Sequence, residues 1–467
     1  MKRNLLLILT ALALLAAGCC KQKAADNIIK TPVPARPAGQ QNVLGLTAEP
    51  IETVHIGVVG LGMRGSSAVE RLSMVPGAVV TALCDLLPDR VASSQADLAK
   101  LGKPAVTGTY SGEQESWRGL CEQADVDLVY ICTDWLNHYP IAMYAMECGK
   151  HVAIVVPAAL DMDQIWGLIN QSEKTRKHCM MLENCIYDFF EMTTLEMAQR
   201  GLFGEVIHVE GAYCHNLDPF WDEYWNNWRL DYNQKVRGDV YPTHGIGPVC
   251  QVLNIHRGDR MTTLVSMDTK SFNGAKIASN HEGKQVTEFA NGDETSTLIR
   301  TEKGKTILIE HDVMTPRPYS RMYQVVGTDG YASKYPIEQY CLRVDKPADQ
   351  VDARHISDEK VYSGEEAAEL QAGYRNVILT PEFEALAKSV GGHGGMDFIM
   401  DYRLVYCLRN GLPLDMDVYD LAEWCCIAPL SRVSLENGSM PVEVPDFTRG
   451  AWNRVKGFHY ALAEGDK

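Results

Sequence analysis

The sequence predicts an α/β protein of two domains: an N-terminal domain built on a parallel sheet, then a C-terminal α+β domain with an open, mostly antiparallel sheet. Three observations carry this reading. Apolar, β-branched runs alternate with helical patterns over residues 51–184. From Gly204 onward, strand-like runs follow one another, punctuated by Asn273-Gly274, Asn291-Gly292 and Asp329-Gly330. The 467 residues suffice for two or three domains at about 150 residues each. Hydrophobic residues make up 46% and charged residues 22%, which excludes whole-chain disorder, collagen and long coiled coils. The net charge is −16, with no basic block past the first residues. That argues against a nucleic-acid partner, whose phosphates need Lys and Arg. A small neutral ligand fits better than a polyanion.

The chain starts Met1-Lys2-Arg3, followed by a 13-residue apolar run over 5–17. A membrane span needs about 20 residues, so this run fits the core of a signal peptide. Leu15-Ala16-Ala17-Gly18-Cys19 resembles a bacterial lipobox. It implies a lipoprotein-type signal over 1–18, cleavage before Cys19 and a lipid on that cysteine. The predicted location is therefore exported and anchored to a bacterial membrane, at the outer membrane or the periplasmic face. An ordinary cleaved signal and an uncleaved anchor helix are the alternatives. Residues 19–50, with three prolines in 31–37, read as a flexible tether. The 14 cysteines include no CxxC pair, so no zinc site is expected. Cys84, Cys132, Cys179, Cys214, Cys250 and Cys407 lie in apolar stretches and read as buried free thiols, with isolated disulfides left open.

In the first domain (51–184), a buried-strand pattern over 54–59 runs directly into Gly60-Leu61-Gly62-Met63-Arg64-Gly65. A helical pattern through Ala68, Val69, Leu72 and Val75 follows, then a second strand over 78–84 that ends in Asp85. Strand, GxGxxG, helix, strand and acid in this order form a dinucleotide-binding fingerprint. The glycines let backbone approach a pyrophosphate at the helix N-terminus, and Asp85 can bind a ribose 2′-hydroxyl. A carboxylate there repels a 2′-phosphate, so NAD is favoured over NADP. Further strands read over 126–131 and 151–156, and helices over 113–122, 139–148 and 162–176. Loops at the strand C-termini line the cofactor crevice. Trp135, Asn137, His138 and, after strand 180–184, Asn184 are thus placed near the nicotinamide or its ribose. For His138 a plain loop role stays open.

In the second domain (185–460), strands read over 205–214, 262–269, 295–301, 305–313 and 322–326, and helices over 381–390, 397–410 and 419–431. The irregular stretch 215–239 carries Phe220, Trp221, Tyr224, Trp225, Trp228 and Tyr232. Such rings stack on sugar C–H faces or simply pack a loop. Asn226, Asn227 and Arg229 offer hydrogen bonds to sugar oxygens. Tyr241-Pro242-Thr243-His244 opens an apolar helix and places an acid/base pair, or a structural histidine, one turn apart. Gly391-Gly392-His393-Gly394-Gly395-Met396-Asp397 reads as a flexible lead into a helix, or as a simple capping turn.

The fingerprint with Asp85, Glu183-Asn184-Cys185, Tyr224-Trp225-Asn226-Asn227-Trp228-Arg229, Tyr241 through His244 and Gly391 through Asp397 together resemble one family. It is the NAD-dependent α-N-acetylgalactosaminidases of glycoside hydrolase family 109, within the glucose-fructose oxidoreductase-like superfamily. The resemblance covers 54–457 and implies a Rossmann domain, an open-sheet domain and a tightly bound, recycled NAD. It implies transient oxidation at C3 of the sugar, loss of the C2 proton, departure of the aglycone, water addition and re-reduction, which differs from two-carboxylate hydrolysis. His244, Tyr241 and Tyr187 are the implied catalytic residues, with Tyr213 the alternative to Tyr187. Tyr213, Trp228, Arg229, Tyr241, His244 and Tyr323 are the implied sugar contacts. Gly60, Gly62, Met63, Arg64, Gly65, Asp85, Trp135, Asn137, His138, Val155, Val156 and Asn184 are the implied cofactor contacts. The superfamily's Glu-Lys-Pro is Val155-Val156-Pro157 here, so the oxidoreductase lysine is missing and so is the glutamate that the glycosidases keep. A sugar oxidoreductase and a non-catalytic glycan-binding lipoprotein are the rival readings. The implied partner is a glycan ending in an α-linked N-acetyl amino sugar. Assembly into a homo-oligomer is left open.

Overall fold

The computed structural model describes residues 27–344 and 359–466. The apolar runs of the first domain form one six-stranded sheet in the order β3-β2-β1-β4-β5-β6. Its strands are β1 (Val54–Val59), β2 (Ala78–Asp85), β3 (Gly108–Ser111), β4 (Leu128–Ile131), β5 (His151–Val155) and β6 (Cys179–Leu182). All pairs are parallel. Strands buried on both faces explain the continuous rather than alternating hydrophobicity: Val54, Ile56 and Val58 are fully buried, as are Val129 and Ile131. Chain order departs from spatial order at β1, between β2 and β4, and that switch point opens the crevice for a nucleotide.

The second sheet holds nine strands in the order β14-β13-β12-β11-β7-β10-β9-β8-β15. They are β7 (Val206–Cys214), β8 (Met261–Asp268), β9 (Glu294–Thr301), β10 (Thr306–Asp312), β11 (Tyr323–Gly327), β12 (Gly330–Ser333), β13 (Gln339–Arg343), β14 (Glu359–Ser363) and β15 (Val442–Glu443). Only β7 with β10 is parallel; the other pairs are antiparallel. One face is covered by the helix Thr243–Leu253. Gly211 of β7 lies so close to it that a Cβ there would meet the Gly245 carbonyl oxygen at 2.2 Å.

Several local expectations change. Residues 27–50 are not a loose tether. Ile29 bridges Val442, Arg36 pairs with Glu173 at 2.8 Å and Val43 is buried, so this segment straps the second domain to the first. The signal peptide and Cys19 lie outside the described residues. Asn273-Gly274 opens the helix Gly274–Glu282 rather than a tight turn. The aromatic stretch contains the helix Trp228–Lys235. The helical pattern at 419–431 is two helices, Val418–Cys425 and Ile427–Glu436. The six cysteines expected in the interior are buried free thiols.

Candidate active site

A cleft of about 1190 Å³ runs between the two sheets. Its floor is the nucleotide loop. Gly60 has φ +88°, and a Cβ on it would meet the Cys132 carbonyl carbon at 2.7 Å; one on Gly65 would meet the Gly60 oxygen at 1.7 Å. The following helix, Met63–Leu72, has no side-chain cap, so its first N–H groups are open to an anion. Asp85, nearly buried, accepts from Leu61 N at 2.7 Å and Leu87 N at 2.8 Å. Each carboxylate oxygen keeps a lone pair for a ribose hydroxyl. The donors and the space fit NAD. Gly62, Met63, Arg64, Trp135, Asn137, Val155, Val156 and Asn184 line this part of the cleft, as placed by the sequence. Val155 and Val156 present an apolar wall there and offer no side-chain hydrogen bond.

His138 departs from its expected position. It sits inside the helix Trp135–Glu147, fully buried, with Nδ1 2.8 Å from the Pro157 carbonyl and Nε2 3.0 Å from the Thr133 carbonyl. The ring ties two loops together beneath the cleft and does not line it.

The opposite wall centres on His244, second residue of its helix. The close approach of Gly211 and Gly245 brings this helix start onto β7, with the His244 and Tyr213 ring centres 5.4 Å apart. His244 Nδ1 lies 2.7 Å from Glu183 Oε1, and Nε2 lies 3.2 Å from the Tyr241 hydroxyl. The carboxylate draws the ring proton to Nδ1 and leaves Nε2 as the acceptor for Tyr241. Burial pushes His244 below its ordinary value, more than Glu183 restores. Burial alone would raise Glu183. The hydrogen bonds from His244 and the Cys185 amide outweigh it and keep the carboxylate ionised. This is a buried dyad with a neutral imidazole that can take up a proton, and Tyr241 is its neighbour toward the cleft.

Arg229 is fully enclosed beside it. Its guanidinium carbon lies 4.3 Å from the Tyr241 ring centre, 5.1 Å from Trp135 and 5.2 Å from Tyr224, and Nη1 donates to the Tyr224 hydroxyl at 2.6 Å. Among the described residues no carboxylate lies within 4 Å of it, and its Nε has no partner. A buried guanidinium without an acid, facing a cleft, is suited to an acyl or hydroxyl oxygen. Trp228 packs edge-on against Trp135 at 5.1 Å, and the Tyr213 hydroxyl lies 3.0 Å from His215 Nδ1.

Four further expected contacts do not form. Tyr187 is fully buried, and its hydroxyl donates to Asp415, which Arg403 grips at 2.7 Å; this pair draws the ring into the core. Tyr323 points under the sheet against Phe190, because the alternation of β11 turns it inward; Tyr319, before the strand, lines the cleft instead. Asn226 and Asn227 hold left-handed φ values of 54° and 53° and shape the turn rather than the cleft wall.

Three contributors carried no readable role in the sequence. Glu183 lies 61 positions from His244, beyond any local motif. Arg321 lines the cleft with Nη1 3.1 Å from Cys185 Sγ, and no pattern marks it. His393, in the glycine-rich segment, also reaches the cleft. Glu183, Cys185 and His244 offer donor atoms within 4.8 Å of one another. The Arg321 cation beside the sulfur and the thiol's strongly raised pKa, caused by burial, favour the proton-relay reading of this group over a metal site.

Residues 54–183 match the oxidoreductase family with an NAD-binding Rossmann fold, and 187–454 match the C-terminal domain of glycosyl hydrolase 109. The chain is 62% identical over 473 residues to glycosyl hydrolase family 109 protein 1 of Bacteroides thetaiotaomicron, covering 99% of this chain and 100% of that one. It is 61% identical over 442 residues to a family 109 protein of Porphyromonas gingivalis, covering 93% of each. Among solved structures it is similar in fold to levoglucosan dehydrogenase in complex with NADH and levoglucosan, with a TM-score of 0.60 at 15% identity, over 84% of this chain and 100% of that one. An NAD-binding oxidoreductase from Klebsiella pneumoniae gives a TM-score of 0.62 at 18% identity, with the same coverage. With an NAD-binding Rossmann domain over 54–183 and the family's C-terminal domain over 187–454, this chain belongs to glycosyl hydrolase family 109.

Proposed function

We propose that the protein hydrolyses terminal α-linked N-acetylgalactosamine with a resident NAD. The observation that carries this reading is the Glu183–His244–Tyr241 relay opening into the same cleft as the nucleotide loop. NAD, when bound, supplies a reversible oxidation of the sugar at C3, so a complete turnover leaves no net oxidation. The Tyr241 hydroxyl meets the C3 hydroxyl and passes its proton to His244 Nε2, which burial keeps neutral and Glu183 keeps oriented. Tyr213, rather than Tyr187, takes up the C2 proton as it gives its own hydroxyl proton to His215 Nδ1, 3.0 Å away. Loss of that proton lets the aglycone leave C1, and water adds there. Arg229 holds the acyl or hydroxyl oxygens, and the apolar rings around it exclude bulk water. An apolar Val156 just past the end of β5, where the oxidoreductases carry lysine, speaks against the rival dehydrogenase reading.

The test is release of p-nitrophenol from its α-N-acetylgalactosaminide without added nicotinamide. Release that falls by about 10²–10⁴ in His244→Ala supports the reading. No release, even with NAD supplied, overturns it. The same reading places the enzyme on a bacterial membrane through a lipid on Cys19. Loss of membrane association in Cys19→Ala checks that part, and unchanged association rejects it.

A further inference from the structure

The aromatic stretch 220–232 is only partly used by these roles. Trp221 is fully buried, and Trp228 and Tyr232 pack edge-on against Trp135, each at 5.1 Å. The left-handed turn at Asn226 and Asn227 separates Trp228, which is drawn inward, from Trp225, which stays 45% exposed. Phe220 is 39% exposed, and so, at 44%, is Tyr319 from the segment before β11. Among the described residues only four Phe, Trp or Tyr side chains are exposed. Phe220, Trp225 and Tyr319 line the cleft, and Phe272 lies elsewhere. Exposed rings gathered in one concave surface mark a place where a ligand covers them.

His215 gathers two of these rings. Its centre lies 5.5 Å from Phe220 and 4.9 Å from Tyr319, the latter edge-on at 88°. On its inner side the same ring stands 5.7 Å from Tyr213, whose hydroxyl meets His215 Nδ1. Tyr213 serves C2 in the proposed reaction, so Phe220 and Tyr319 stand one side chain beyond the bond that breaks at C1. Arg321 steadies Tyr319: its guanidinium carbon lies 5.8 Å from the ring centre while Nη1 rests on Cys185 Sγ. Glu223 is exposed, lines the same cleft and offers carboxylate oxygens to hydroxyl groups. At about 1190 Å³ the cleft is larger than the ~300–1,000 Å³ that one small ligand commonly fills.

We propose that Phe220 and Tyr319, gathered on His215, form a subsite for the group that leaves C1, and that this group is a neutral sugar. Their faces stack on the C–H face of a pyranose, and Glu223 accepts from its hydroxyls. A serine or threonine peptide presents neither a ring face nor a row of hydroxyls, and the Glu223 carboxylate disfavours an acidic sugar. The subsite rests on the glycosidase reading and makes its substrate an oligosaccharide, rather than N-acetylgalactosamine on a simple alcohol.

The experiment gives the full chain three substrates: methyl α-N-acetylgalactosaminide, a disaccharide with the same sugar α-linked to galactose, and a peptide carrying it on threonine. Release of N-acetylgalactosamine is followed for each. Calorimetry on the His244→Ala protein, in which turnover is slow, reads the binding of the first two. The disaccharide is expected to exceed the other two in kcat/KM by at least about tenfold. Phe220→Ala and Tyr319→Ala, both at exposed positions, should each lose most of that preference, and lose it through KM. Phe272→Ala, at the exposed ring outside the cleft, should keep it. A disaccharide turned over no better than the methyl glycoside overturns the subsite and leaves the glycosidase reading standing. A preference that both cleft variants retain does the same. Preference for the threonine peptide overturns the sugar as occupant. If no substrate is hydrolysed, the glycosidase reading falls and calorimetry decides the subsite: disaccharide bound about tenfold tighter than the methyl glycoside keeps it, and equal binding rejects it.

Discussion

His244 and His393 each hand an Nδ1 proton to a carboxylate, Glu183 at 2.7 Å and Asp397 at 2.9 Å, yet their surroundings differ in almost every other respect. His244 stands on a regular helix pressed against β7 and is almost fully enclosed. His393 stands on a turn of left-handed residues with its side chain 38% exposed. Around His244 burial outweighs the carboxylate and holds the imidazole neutral. Around Asp397 the reverse holds. Burial would raise it, but His393, Arg71 and Arg64 hold it well below the usual carboxylate range. The same pair of groups thus yields a neutral, enclosed proton acceptor on a regular helix, and a part-exposed contact on an ionised carboxylate where arginines gather.

The comparison can be broken hardest at its anchored end. Arg71→Met leaves Asp401 buried without its cation, so the His393 side should lose about 3–5 kcal/mol of stability, read as a lower urea midpoint. An unchanged midpoint would show that the network across the domains is incidental. A sharper probe is Glu183→Gln, expected to lower kcat by about 10². Activity needs neutral His244 and is lost as pH falls through its pKa. Removing the Glu183 charge removes an influence that raises that pKa, so the acid limb of kcat/KM should move to lower pH. A limb that stays in place would take Glu183 out of the relay. The smallest effect lies outside both pairs. His151, first residue of β5, and His178, just before β6, have ring centres 5.1 Å apart, and burial pushes them down to about 3 and about 4. The unfolded chain binds their protons more readily, so stability present above about 6.5 is lost as pH falls toward 4. His178→Leu should recover about 1 kcal/mol of that loss near pH 5.5, measured by urea unfolding at two pH values. Equal acid sensitivity would assign the loss to other groups.

Legibility followed sequence distance. Gly60 through Gly65 and Asp85 were readable because strand, loop, helix and acid are consecutive and each has a local physical need. Tyr241 and His244 were readable because one helical turn separates them. Tyr187 and Tyr323 were misplaced because a tyrosine near a motif carries no mark of which way it points. Core demand for Tyr187, through Asp415 and Arg403, and strand alternation for Tyr323 decided that. The strands β12 to β14, at one end of the second sheet, escaped because they are short and half-polar, which weakens any hydrophobic period.

By itself the sequence determined a parallel-sheet nucleotide domain, an open-sheet domain behind it and a histidine at the start of a buried helix. Each follows from hydrophobic period, glycine sterics or helix spacing, all of which act between near neighbours. Tertiary structure alone decided that Glu183 meets His244 across 61 positions, that Arg229 is caged without an acid, and that His393 closes on Arg64 across 329 positions. Those contacts depend on where two sheets bring distant chain segments together, and on which charges burial there leaves unpaired.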